Sequence, residues 1–169
     1  MALSSSRLAI GQALVALLAS ATNAQNTPIY QDVKLGAMWN PSTLSSWCAV
    51  AHVQGKGTPA GSGGNLVGWR IDEEVQFAIT SGFGPYETDS TAAQTAMLTA
   101  MDVILPLLHS HYLLPLSGNP AQAVQSVYSM LPIQADRSQP MKFPNGHIYL
   151  LWSFPIIVKQ QYNVVLMTP

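Results

Sequence analysis

An α+β domain, with an antiparallel sheet built around a long hairpin and packed by two helices, is predicted by three patterns in the sequence. The last third of the chain alternates strictly: Ile148, Leu150, Trp152, Phe154, Ile156, Val158, Gln160, Tyr162 and Val164 share one face, and nearly all are apolar or aromatic. Two strand-like runs, Trp47–Val53 and Trp69–Thr80, flank a glycine-rich stretch. Two other segments have helical spacing, Ser5–Ala21 and Thr91–His111. The 169 residues form one domain spanning 1–169, long enough to bury about two-thirds of the unfolded chain's surface.

The first helix carries Ile10, Leu14, Leu17 and Leu18 on one stripe, with the Ser4-Ser5-Ser6 cluster as its cap. The same stretch supports a second reading. Arg7, the apolar run Leu8–Ala19 and Thr22-Asn23-Ala24 have the layout of a secretory signal occupying residues 1–24. A polar segment from Thr22 to Thr27 leads to a short strand at Tyr30–Leu35. Asn40-Pro41-Ser42 is loop chemistry, because proline lacks an N–H and turns its neighbour away from helix. Trp47–Val53 follows as a strand with Trp47, Ala49, Ala51 and Val53 on one face.

The stretch from Gly55 to Asn65 holds five glycines, each costing about 1 kcal/mol inside a regular element. A flexible hairpin tip over 54–68 is therefore expected. In the return strand, Trp69, Ile71, Val75, Phe77 and Ile79 alternate with Arg70, Asp72, Glu74 and Gln76, while Glu73 falls on the apolar face, close enough to the strand's start to reach solvent. Gly82-Phe83-Gly84-Pro85 breaks that strand. Thr91-Ala92-Ala93-Gln94 has the form of a capping box for the second helix. Its stripe is Met97, Met101, Ile104 or Leu105, and Leu108, and Pro106 is expected to kink or begin to end it. A connector through Pro115 and Asn119-Pro120 reaches a strand near Val124–Gln134. Asn145-Gly146 then sets a tight turn before the terminal strand, whose Pro155 marks a bulge or an edge.

Composition narrows the function. Asp, Glu, Lys and Arg make up 9% of the chain, against about a quarter in an ordinary soluble domain, while 48% is apolar. A surface so poor in charge points to a membrane or to coverage by other proteins. Pro106, Pro115 and Pro155 break the apolar runs before the roughly 18 residues of a membrane span. A net charge of −1 without charge runs offers no footprint for nucleic acid, and the lone Cys48 excludes an intramolecular disulfide framework.

No constellation for catalysis emerges. His109 and His111 diverge on a helix with no carboxylate or cysteine near in sequence. Gly55-Lys56-Gly57-Thr58 lacks both the upstream glycine and the following helix of a phosphate loop. Asp72, Glu73 and Glu74 alternate across a strand, so they make a charged edge rather than an acid–base pair. Cys48 in a strand reads as a small buried hydrophobe, although a small hydrolase pairing it with His52 or His147 is a distinct option. The seven methionines fit soft packing, and nothing calls for a cofactor or metal.

In the order and size of its elements, the whole chain resembles the tail terminator, or tail-to-head joining, proteins of long-tailed bacteriophages. The matching parts are Ser5–Ala21, Tyr30–Thr80, Thr91–His111 and Val124–Leu166. It departs from smaller members in its longer connector Leu35–Ser46 and in its glycine-rich tip. The resemblance implies a non-enzymatic virion protein, assembled in the host cytoplasm and placed at the tail–neck junction. It would form a hexameric ring on the tail tube protein, present a surface to the head connector or stopper protein, and let genomic DNA pass through its lumen without sequence-specific binding. No membrane is involved. The candidate protein-interface residues are Lys56, Thr58, Asn65, Arg70, Asp72, Glu74 and Lys159. The alternative from a different class is an exported or periplasmic binding domain that loses residues 1–24.

Overall fold

The computed structural model describes residues 3–37, 41, 43–59, 68–111, 129–130, 133 and 135–165, with backbone alone at 3–6, 68–70, 129–130 and 161–165. The elements run α1 (Leu3–Ala19), β1 (Asp32–Leu35), β2 (Ser46–Pro59), β3 (Gly68–Phe83), α2 (Ser90–Ser110), β4 (Ser129–Met130), β5 (Arg137–Lys142) and β6 (Ile148–Val165). One sheet has the strand order β1-β2-β3-β6-β4, with β5 also paired to β6. The α+β class holds, as do the long hairpin and the two packing helices. The antiparallel expectation holds for every pair except β1 with β2, which run parallel from Asp32↔Trp47 to Leu35↔Val50.

Both helices contribute to one core on one face of the sheet. Ile10, Leu14, Leu17 and Leu18 of α1 and Ala93, Met97, Ala100, Ile104 and Leu108 of α2 meet Val50, Val75, Phe77, Ile79, Trp152, Phe154, Ile156 and Val158. Gly11 lets α1 approach the sheet, since a Cβ there would lie 2.7 Å from Leu35 Cδ1 and 3.2 Å from Phe77 Cε1. A smaller cluster covers the other face at one end only: Trp47, Ala49, Tyr149 and Leu151, with Leu44 and Phe143 against them. Trp47, Phe143 and Tyr149 meet edge to face at 5.3–6.2 Å between ring centres. Gly82 continues β3 and leaves room for the Trp47 indole, whose Cε2 would sit 2.3 Å from a Cβ at this position.

Several expectations need correction. The first helix starts at Leu3, so Ser4–Ser6 lie inside it rather than capping it. The second helix is capped by Asp89, whose carboxylate accepts the Ala92 N–H at 2.8 Å, and Thr91 lies within the helix. Pro106 sits inside α2, which runs on to Ser110. By length and composition alone α2 is long and apolar enough to cross a membrane; its stripe from Ala93 to Leu108 is spent on the core. β2 continues through Gly55-Lys56-Gly57-Thr58-Pro59, paired from Gly55↔Val75 to Pro59↔Ile71, where a loop is expected. Residues 60–67 of the tip lie outside the described residues. β3 runs to Phe83, three residues beyond Thr80. Of the strand expected near Val124–Gln134, the described part is Ser129–Met130, paired with Lys159 and Val158. The Asn145-Gly146 turn joins β6 instead to β5, an exposed polar strand that contains Pro140 and carries no periodic pattern.

Trp152 is fully buried and its indole N–H donates to Asp136 Oδ2 at 2.8 Å. Trp152→Ala is expected to cost about 3–5 kcal/mol in urea denaturation. Lys159→Ala, on the opposite face, removes an exposed pair with Glu74 and is expected to cost less than about 1 kcal/mol. Equal midpoints for the two variants would invert the inward face assigned to β6.

Candidate protein interface on the sheet arm

The outer parts of β2, β3 and β6 continue as an arm, which β4 flanks at Lys159 and Val158. The register arranges its residues in cross-strand rows, because partners directly opposite share a face. One face carries Ala51↔Ala78↔Pro155, then Gln54↔Gln76↔Ile157, Lys56↔Glu74↔Lys159 and Thr58↔Asp72. Between the first two rows β2 shifts register around Val53, a bulge that leaves this valine 51% exposed. No helix contributes to this face among the described residues. It is a band of small and apolar residues that grades into a polar ladder.

The candidate interface residues converge there. Lys56, Glu74 and Lys159 form one row and Thr58 and Asp72 the next. Arg70 stands opposite Asn163 in the following register position. Asn65 lies outside the described residues. Lys159 Nζ is 3.3 Å from Glu74 Oε1, and Gln54 Nε2 donates to Gln76 Oε1 at 2.9 Å. The sequence supplied the residues by their polarity, and pairing supplies their common face.

The opposite face of the arm holds a feature that sequence reasoning placed in solvent. Glu73 is 2% exposed. The Arg7 guanidinium, arriving from α1, donates to its Oε1, and Gln160 Nε2 donates to its Oε2. Gly55 makes the route possible, because a Cβ on it would come within 2.9 Å of Arg7 Nη2 and 2.8 Å of Glu73 Oε1. Here a glycine within a strand exchanges packing for the passage of a charged partner. The Arg7–Glu73 pair ties the first helix to the arm.

Other candidate groups are engaged structurally. Cys48 is fully buried, and burial pushes its thiol up to about 12, against hydrogen bonds with Ser81 and Tyr30 that lower it. The thiolate a nucleophile needs is therefore scarce at neutral pH. Burial likewise raises the Tyr30 phenol, whose oxygen lies 2.8 Å from Ser81 Oγ. His147 is paired with Glu87 at 2.6 Å, and the same carboxylate accepts the Ile148 N–H at 2.8 Å. The hydrogen bond to His147 lowers the Glu87 carboxyl. His109 Nε2 accepts the Ile133 N–H at 3.3 Å, and His111 Nδ1 lies 2.9 Å from the Leu107 carbonyl. Among the described residues no three His, Cys, Asp or Glu side chains gather as a metal site would require.

No family model matches the chain, and no curated protein matches it. Similar solved chains exist, and one is the PVC sheath/tube terminator of an extracellular contractile injection system, seen by cryo-EM in its extended state. It is 14% identical, with a TM-score of 0.41, over 96% of this chain and 59% of the terminator. The chain thus spans less than two-thirds of that protein's length.

Arg7→Ala would leave Glu73 buried without its cation and is expected to cost about 1–3 kcal/mol. Glu73→Gln in the same chain should return part of that loss, giving a coupling of at least about 0.5 kcal/mol in a double-mutant cycle followed by urea denaturation. Strictly additive losses would show that the pair contributes nothing to the arm.

Proposed function

We propose that this chain is a structural protein of a long-tailed phage particle. It closes the end of the tail tube as a ring and joins it to the head connector. The observation that carries the reading is the helix-free face of the arm, where small residues and a register-aligned polar ladder form a continuous surface. It stands on a chain with 9% charged residues and an element order like that of tail terminators.

A ring needs two unlike surfaces that meet head to tail between identical copies. The arm's helix-free face is one. The outer side of α2 is the other, where Leu98 is 52% exposed. Six copies closing in this manner would leave a lumen for DNA, which a chain of net charge −1 would admit without reading its sequence. Burial of both surfaces between neighbours accounts for the low charge better than an isolated domain does. The exported-domain alternative gains no support from α1: removing residues 1–24 would strip Ile10, Leu14, Leu17, Leu18 and Ala21 from the core.

Cryo-electron microscopy of the particle tests the proposal. The expected result is a ring of this chain at the junction of tail tube and head connector. A junction built entirely of other chains would refute it.

A further inference from the structure

Among the described residues the outer edge of β2 is open beyond Val50. β1 pairs only with Trp47–Val50, and the Gly36 N–H closes that ladder on the Val50 carbonyl at 2.8 Å. From Ala51 to Pro59 no strand lies on the outer side among the described residues, and His52–Pro59 are all exposed. β2 pairs along its other edge with β3, so its backbone is already extended and held in register. It is a template for one more strand.

The Lys56 row supplies the specificity. From β6 to β2 it reads lysine, glutamate, lysine: Lys159 on β6, Glu74 on β3 and Lys56 on β2. Glu74 is paired with Lys159, and Lys56 makes no ion pair among the described residues. An incoming strand with a carboxylate beside Lys56 continues the alternation, whereas an apolar or basic residue there strands the ammonium or repels it. A lysine on an edge ordinarily blocks indiscriminate pairing. In this row it also selects, because it rejects most strands and admits an acidic one.

We infer that the β2 edge over Ala51–Pro59 is a docking site for an extended segment of a partner protein, with an aspartate or glutamate in register with Lys56. The segment adds a strand to the sheet. This names the kind of partner contact that the assembly reading requires and rests on that reading for the partner's place in the particle.

The test uses the full chain and two nine-residue probes of alternating threonine and valine, one with a central glutamate and one with a central lysine. The glutamate probe is expected to slow hydrogen exchange at amides within 51–59 and to bind about fivefold more tightly than the lysine probe at low salt. Lys56→Glu should reverse that preference, while Lys56→Arg should keep it. Failure of both probes to protect 51–59, or equal binding of the two, would overturn the inference and leave Lys56 as a purely protective edge charge. Protection of the same amides by raising the concentration of the chain alone would also overturn it, in favour of a second copy. The two readings separate in the particle. Protection by the glutamate probe with the chain missing from the particle supports the docking site and removes the assembly reading. Fast exchange at 51–59 in a particle that contains the chain does the opposite.

Discussion

The register of β3 against its two neighbours is the constraint on which the rest of the structure depends. All 16 residues of β3 pair with β6, and most also pair with β2. Because side chains alternate along a strand, this double pairing assigns every residue of the sheet's centre to one of two faces. Val75, Phe77 and Ile79 go to the helices, and Asp72, Glu74, Gln76 and Ala78 go to the other side. A slip of one residue would place charge beneath α1 and α2 and expose the aromatic face of β6. The core therefore protects the register, and the register places the candidate interface.

The arm needs its own support. Part of that support is the pair that Arg7 forms with the buried Glu73, backed by Gln160. Arg7, Lys56, Arg70, Asp72, Glu73, Glu74 and Lys159 are nearly half of the charged residues in the chain, and all lie in or against the arm. Glu73 faces the helix side, where Arg7 and Gln160 satisfy it, while Glu74 faces away and pairs with Lys159. Two adjacent carboxylates thus serve different purposes because the strand's period separates them. The buried one fastens α1 to the sheet, and the exposed one lies between Lys56 and Lys159 in one cross-strand row.

Much of this was legible in the sequence, and the failures have physical causes. The alternation of β6 is readable because every second residue from Leu150 to Gln160 is buried, while past Leu151 the other face is only partly buried or exposed. At the base of β2 both faces are covered, Cys48 and Val50 by the helices and Trp47 and Ala49 by Tyr149 and Phe143, so alternation there does not tell inside from outside. β5 escaped notice because every residue in it is exposed and Pro140 interrupts it. The parallel direction of β1 is not encoded in four residues. Gly55 and Gly57 looked like loop because their conformational cost is visible in sequence, while the compensating ladder with β3 and the passage for Arg7 are not. The sequence puts Glu73 within reach of solvent for the same reason, since its partner lies 66 positions away. At the site, the polar residues could be named from sequence, but only the pairing shows that Lys56, Glu74 and Lys159 form one row.

We propose the arm's helix-free face as a contact surface within an assembly. It is tested most directly at Ala78, which sits half-buried in the middle of the small-residue band, between Ala51 and Pro155. An arginine at that position projects away from the core and should leave folding intact, yet it places bulk and charge where a neighbour would pack. The measurement is the amount of Ala78→Arg chain in purified particles, relative to the parent chain, for protein shown to have the parent's urea midpoint. The account predicts a stably folded chain that is lost from the particle. Incorporation at the parent's level would show that this face looks onto solvent and would contradict the account.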